Sequence, residues 1–339
     1  MYTYDIKPDI YITIERDIDI YDISKVGDKE YLKDIIFMAM NSIHPRVFSL
    51  FNKSYIFSKV NDTGSDFIND GSKYPQLKYS NPGVSNGAFS LGIELGFKNI
   101  FFFGMDLGYK DLKKHHSKSS LHYNKESRYF KEEAKVSRET KSVNGETMQT
   151  DKYLDNVKEN IEQLININKN SDLKIYNYSD GAKIENCSNL YDNSFFNDMG
   201  DISNKEYSNI ISQIDNNFKI YDKDILINYD EIENKFNEVK QLIFSLKGDN
   251  LTSYSYLKNS GIFFTQLKIL FKEYSYILHL IRGTVVLYMA RAYRYSSDVN
   301  NIGGVSIFLN KSLDMLTLFI QEVQKDIKIL ETTIDKPFY

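Results

Sequence analysis

The chain has 339 residues, 42% of them hydrophobic and 26% charged, and its 42 Lys and Arg against 46 Asp and Glu leave a formal net charge of −4. This is the balance of an ordinary soluble globular protein, which excludes a collagenous, mucin-like or wholly disordered chain, and near-neutrality supplies no cationic field to hold nucleic acid. A single cysteine, Cys187, cannot form an internal disulfide, so a reducing compartment is expected.

In chain order, residues 1–10 lack a basic stretch followed by an apolar core, and no secretory signal is predicted. Residues 9–15, DIYITIE, place Ile at every second position and predict a strand. A continuous apolar run at 35–39 and a shorter one at 54–58 predict two more. Val84, Ala88, Leu91 and Leu95 share one helical face over 84–97, and the apolar run at 99–106 then predicts a parallel strand buried on both faces. Leu154, Val157, Ile161 and Leu164 predict a helix over 153–169 with Thr150 or Asp151 as N-cap, and a strand follows at 174–178. This alternation predicts an α/β domain over 1–192 with a mainly parallel sheet. The charged stretch 108–149 has no long apolar period and is expected to be a functional or disordered loop. After a linker at 193–205, residues such as Ile232, Phe236, Val239, Ile243 and Leu246 recur at three and four, predicting a helical bundle over 206–339. The longest apolar stretch, 276–293, is broken by Arg282, Gly283 and Arg291 and reads as a buried helix, so no membrane span and a cytoplasmic location are expected.

Ligands of open parallel sheets sit beyond the carboxyl ends of strands, and two segments have that address. The turn Pro82-Gly83 opens the 84–97 helix, where Ser85 or Asn86 can cap and free N–H groups can face an anion. Gly87, Gly92 and Gly96 thin that helix, which suits either close packing on the sheet or a ligand. Asp106, after Gly104 at the end of the 99–106 run, suits a substrate hydroxyl, a metal or nearby backbone, because a buried carboxylate needs a partner. Just beyond, His115, His116 and His122 lie among Lys113, Lys114 and Lys118. Imidazoles take protons near neutral pH and the lysines attract phosphate; a solvated basic loop with incidental histidines has the same sequence. No carboxylate or cysteine stands at zinc-ligand spacing, so no metal is expected. His44 and His279 are expected to be structural. There is no G-x-x-x-x-G-K-[ST], no G-x-G-x-x-G after a strand and no G-x-S-x-G.

Four ordered pieces of the sequence together resemble the motility accessory factor family of bacterial proteins implicated in flagellin glycosylation, whose central domain is related to bacterial sialyltransferases. They are 6–16 (IKPDIYITIER), 83–107 (GVSNG through FKNIFFFGMDL), 116–120 (HSKSS), and Val143-Asn144-Gly145, Thr150 and 176–184 (YNYSDGAKI). The likeness covers about residues 5–190. It implies a Rossmann-like transferase that moves a nonulosonic acid of the pseudaminic, legionaminic or sialic type from a CMP-activated donor to a flagellin Ser or Thr, with no obligatory cofactor or metal. It also implies that His116 is the base, with His115 and His122 as alternatives. Glu15, Gly83, Ser85, Asn86, Gly87, Gly104, Asp106, Ser179, Gly181 and Ala182 would hold the donor. The family's domain begins with a glycine-rich Gly-Pro-Ser-Leu strand, and this chain starts after it, so a sheet lacking its first strand is expected. A non-catalytic flagellin-binding protein and a hydroxymethylpterin diphosphokinase are the alternative readings.

Overall fold

A computed structural model describes residues 2–25, 27–65, 75–118, 120–190, 194, 207–218, 228–298 and 302–333. The chain divides into two compact units, Met1–Val60 with Pro75–Tyr221, and Asn61–Tyr74 with Asp222–Tyr339.

The first unit is α/β. Strands β1 (Ile10–Thr13), β2 (Ile36–Met40), β3 (Lys53–Lys59) and β4 (Gln76–Leu77) run parallel in that order. All five residues of β2 are buried, as a continuous apolar run between two neighbours requires. Phe37 stacks on Phe51 at 4.6 Å between ring centres, which anchors the core of this sheet. Short helices α1 (Asp19–Ser24), α2 (Lys29–Leu32) and α3 (Pro45–Phe48) connect the first three strands. At α3, His44 Nδ1 accepts from the Arg46 N–H at 3.3 Å, a structural role as expected.

Helix α4 (Val84–Glu94) leads to strand β5 (Asn99–Phe102), which pairs in parallel with β8 (Lys174–Asn177), itself parallel to β9 (Ser188–Asn189). The strands therefore form two parallel sheets where one was expected. Strand β5 also stops at Phe102 rather than 106, because Gly104 (φ +63°) and Leu107 (φ +50°) turn the chain in the left-handed region. Asn99 is exposed, Ile100 and Phe101 are half-buried and only Phe102 is buried, so the strand is not buried on both faces. Between β5 and β8 lies an antiparallel hairpin, β6 (Arg138–Lys141) and β7 (Thr147–Thr150), inside the stretch expected to be a loop. Helix α5 (Lys152–Ile167) starts where Asp151 accepts from the Leu154 N–H at 2.8 Å, and buries Val157, Ile161, Leu164 and Ile165.

Helix α6 (Tyr207–Asn217) belongs to this first unit, although residues from 206 onward were expected in the bundle. Its Ile214 is buried in the β2 core, Phe218 lies 4.5 Å from the Tyr55 ring, and Lys53 pairs with Asp215 at 2.7 Å. The first compact unit thus reaches Tyr221. Of the expected 193–205 linker, only Ser194 lies within the described residues.

The second unit is helical: α7 (Tyr229–Ser245), α8 (Ser253–Leu270), α9 (Ser275–Ser297) and α10 (Ile302–Thr333). Side chains at three- and four-residue spacing, among them Phe236, Val239, Phe263, Leu267, Ile281, Val285, Leu309 and Leu313, fill one core. Residues Gly303–Ile329 are long and apolar enough to cross a membrane by length and composition. Leu309, Leu313, Leu316 and Ile320 of that stretch face the bundle core, whereas Ile307, Met315, Leu318 and Ile329 are exposed.

Candidate functional site

Beyond β5 the chain turns through Gly104 and presents Asp106. Ser179 Oγ, just past β8, donates to Asp106 Oδ1 at 2.5 Å, and the Ala182 N–H donates to the Asp106 carbonyl at 2.7 Å. Gly181 is what allows this approach, since a Cβ there would sit 2.2 Å from the Asp106 carbonyl oxygen. Four of the expected donor-binding positions, Asp106, Ser179, Gly181 and Ala182, are therefore one contact group, and Gly104 shapes the turn that leads to it. Asp106 itself is exposed, so the desolvation cost expected of it does not arise. The hairpin completes this corner: the Val143 N–H donates to the Gly181 carbonyl at 3.0 Å, and Thr150 Oγ1 donates to the Leu107 carbonyl at 3.0 Å.

At the start of α4, Gly83 rather than Ser85 or Asn86 occupies the N-cap. Asn86 is fully buried. Its Oδ1 accepts from the Gly83 N–H at 3.0 Å and its Nδ2 donates to the Val157 carbonyl at 2.9 Å, so its amide ties α4 to α5 and faces no ligand. Gly87 is likewise buried, with the Ile14 methyl 3.5 Å from where a Cβ would stand. What α4 offers outward is the N–H end at the half-buried Ser85 and the exposed Val84.

The turn is tied to the start of α5, and that start to the stretch after Asp106, by residues that sequence reading missed. Tyr153, in the first turn of α5, directs its hydroxyl to the Pro82 carbonyl at 3.4 Å. Burial and the nearby carboxylates of Glu15 and Asp151 push its pKa up. Tyr109, three residues after Asp106, donates to Asp151 Oδ2 at 3.2 Å, and burial together with that carboxylate pushes its hydroxyl up to about 12. Asp151 therefore caps α5 with one oxygen and orients Tyr109 with the other. Only its capping role could be read from the pattern.

The three histidines form one cluster. His115 Nδ1 lies 2.7 Å from His116 Nδ1, His116 and His122 stack at 3.8 Å between ring centres, and His115 lies 5.0 Å from the Tyr123 ring. Tyr123 locks the backbone at this point, donating to the His116 carbonyl at 3.0 Å and accepting the His116 N–H at 2.9 Å. Burial of the ring among its neighbours, then the positive charge that His122, His115 and Lys131 can carry, lowers the His116 pKa to about 4. The His122 pKa is lowered as well, chiefly by burial. Both imidazoles are thus neutral at pH 7. Arg128 ties this loop to the segment after β1 by pairing with Asp17 and, at 2.6 Å, with Asp19. Its neighbour Tyr129 lies 6.0 Å from the His122 ring.

Arg128 thus ties the histidine loop to the segment after β1, Tyr153 ties the α4 turn to the start of α5, and Asp151 with Tyr109 ties that start to the stretch after Asp106. The residues are suited to a reaction in which a hydroxyl loses a proton while an anionic group leaves. Neutral imidazoles can accept the proton, and free N–H groups with the lysines of the loop can face the anion.

By architecture the protein is an α/β unit of parallel strands followed by a helical unit. A solved structure of MAf glycosyltransferase from Magnetospirillum magneticum AMB-1 is similar, with a TM-score of 0.71 and 16% identity. The match covers 99% of this chain and 50% of that one, so the chain spans about half of its length. A family model described as 6-hydroxymethylpterin diphosphokinase MptE-like matches residues 1–112. No curated protein matches the sequence.

Proposed function

We propose that the protein is a glycosyltransferase that moves a nonulosonic acid from a CMP-activated donor to a flagellin Ser or Thr hydroxyl. The observation that carries this reading is the packed cluster of His115, His116 and His122, tied to the segment after β1 by Arg128, in a fold like that of a MAf glycosyltransferase; the Asp106–Ser179 pair beyond β5 and β8 supports it. The ordered motifs of the sequence and their sialyltransferase-like chemistry supply the choice of donor. In the reaction the acceptor oxygen bonds to the anomeric carbon, the carbon–oxygen bond to the CMP phosphate breaks, and the hydroxyl proton passes to His116. The leaving phosphate gathers the negative charge, and the α4 N–H groups and loop lysines face it. Asp106, held by Ser179 with the 181–182 backbone beside it, orients a sugar or ribose hydroxyl, and Glu15, after β1, supplies a second polar contact to the donor. No step requires a metal or a resident cofactor.

The family model over residues 1–112 favours one second reading, a hydroxymethylpterin diphosphokinase. One experiment separates the two. The protein is incubated with flagellin and a CMP-nonulosonic acid, and separately with ATP, Mg²⁺ and hydroxymethylpterin. Free CMP and a flagellin mass increased by one sugar are expected in the first mixture. AMP in the second mixture with an unchanged flagellin mass in the first would replace this reading by the other. Flagellin binding that survives His116→Ala with no CMP release would leave a non-catalytic binding protein.

A further inference from the structure

We infer that His115 is a positioning residue that fixes which nitrogen of His116 carries the proton, leaving the Nε2 lone pair as the base. This inference rests on the reading of His116 as the group that takes the acceptor proton. The cluster holds two bonds that determine the hydrogens between them. His115 Nε2 lies 3.0 Å from the Lys131 carbonyl oxygen, and a carbonyl can only accept, so His115 carries its proton on Nε2. A neutral imidazole with Nε2–H has a lone pair on Nδ1. That lone pair faces His116 Nδ1 at 2.7 Å, so His116 must donate there and carry its proton on Nδ1. The remaining nitrogen, His116 Nε2, is then unprotonated, and it has no hydrogen-bond partner among the described residues.

An isolated imidazole favours the opposite tautomer, with the proton on Nε2, which has no lone pair there to offer a substrate hydroxyl. The direction of the His115–His116 bond therefore decides whether the outward nitrogen can act. The surroundings preserve that direction. Lys131 binds the adjacent strand of the loop through its N–H to the His122 carbonyl at 3.0 Å, which fixes the carbonyl that orients His115. The Tyr123 hydroxyl clamps the His116 backbone from the other side. His122, stacked on the His116 ring, makes no hydrogen bond to it and so leaves the tautomer to His115.

The test reads the tautomer directly. The protein, labelled with ¹⁵N at histidine, is observed by long-range ¹H–¹⁵N correlation at pH 8, above the range in which imidazoles ordinarily take up a second proton. His116 is expected to show a protonated Nδ1 and an unprotonated Nε2. In His115→Phe, which has no acceptor, His116 reverts toward the Nε2–H form and the turnover number falls about 10²-fold or more, the range of a lost general base. In His115→Glu the carboxylate accepts from Nδ1–H, restores the wild-type tautomer and recovers most of the turnover. A wild-type His116 with its proton on Nε2, or a tautomer unchanged in His115→Phe, overturns the inference, and the wild-type spectrum decides it even if a variant does not fold. The expected tautomer in a protein that transfers no sugar supports the relay and removes only the reaction it was taken to serve.

Discussion

Replacing Asn86 by aspartate tests the placement of the whole donor-side turn. Asn86 is 0% exposed, with Gly83 N–H donating to its Oδ1 and its Nδ2 donating to the Val157 carbonyl. An aspartate keeps the first bond. Its second oxygen, however, faces the Val157 carbonyl, and two acceptors in a dry site repel unless the carboxyl holds a proton. The folded-state pKa of the introduced carboxyl must then rise above the unfolded value of about 3.9, opposed in part by the Gly83 N–H and the positive end of α4. A raised folded pKa means stability that is intact below about pH 4 and lost as pH climbs toward the folded value. For a rise of about two units, at about 1.36 kcal/mol each, the variant loses about 2–3 kcal/mol between pH 4 and pH 7. Asn86→Ala supplies the control: it orphans the Gly83 N–H and the Val157 carbonyl and costs about 2–4 kcal/mol at every pH. Urea unfolding at half-unit steps from pH 4.5 to 7.5, with hydrogen exchange of the α4 amides as the local readout, gives both differences from wild type. A deficit of Asn86→Asp that stays constant or shrinks as pH rises would refute the bond to Val157 and the docking of α4 on α5.

Other expectations follow from single contacts. Gly181→Ala drives a methyl into the Asp106 backbone, so the 179–182 turn must move away; a loss of about 3 kcal/mol in urea unfolding is expected, against about 1 kcal/mol for Gly96→Ala, where only the positive φ is strained. His116 has a lowered pKa, so its own protonation should cut kcat/KM for sugar transfer only near pH 4, whereas an unperturbed imidazole base would lose half its activity near pH 6.5. Arg128→Ala should free the loop from the β1 end, seen as faster amide exchange across 115–131 with unchanged protection in β2.

The legible parts of the fold were those whose burial writes a period into the chain. Strand β2 is buried at every position and its residues are apolar at every position, while α5 buries Val157, Ile161 and Leu164 and displays that spacing. The β6–β7 hairpin was hidden because Arg138–Lys141 buries no residue and β7 buries only Met148 and Thr150. Its one local signal was Asn144-Gly145, with Gly145 at φ +84°, a turn pair between two polar runs. The split into two sheets left no mark on the strands, because pairing order is a property of long-range packing. In the site, His115, His116 and His122 could be singled out because they lie within eight residues, and the fold brings them into contact. Tyr109, Tyr153 and Arg128 could not, since each acts through a partner that is remote in sequence: Asp151, Pro82 and Asp17.

The two enzymatic readings ask the same chemistry of these residues. In each, a hydroxyl attacks an activated centre, a nucleoside monophosphate departs, and a proton must be taken up at the nucleophile. A neutral imidazole base and a ring of N–H donors serve both, which is why the histidine cluster alone does not choose between them. The leaving groups differ in charge. A triphosphate donor with Mg²⁺ brings a cation that seeks carboxylates, whereas a CMP-sugar brings a single phosphodiester that seeks N–H groups and cations. At the β1 end, Asp17 and Asp19 are both committed to Arg128, and Asp106 is held by Ser179. The loop beside them carries Lys118, together with Lys113 and Lys114, which pair with Glu133 at 3.7 Å and Asp111 at 3.4 Å across exposed surface. Arg128→Ala frees the two aspartates and also loosens the lysine-bearing loop, so CMP-sugar binding should weaken and gain nothing from Mg²⁺. In a diphosphokinase the same change would strengthen Mg²⁺-dependent ATP binding. Titration calorimetry with each nucleotide, with and without Mg²⁺, tells the two apart, and tighter Mg²⁺–ATP binding in the variant would count against the glycosyltransferase.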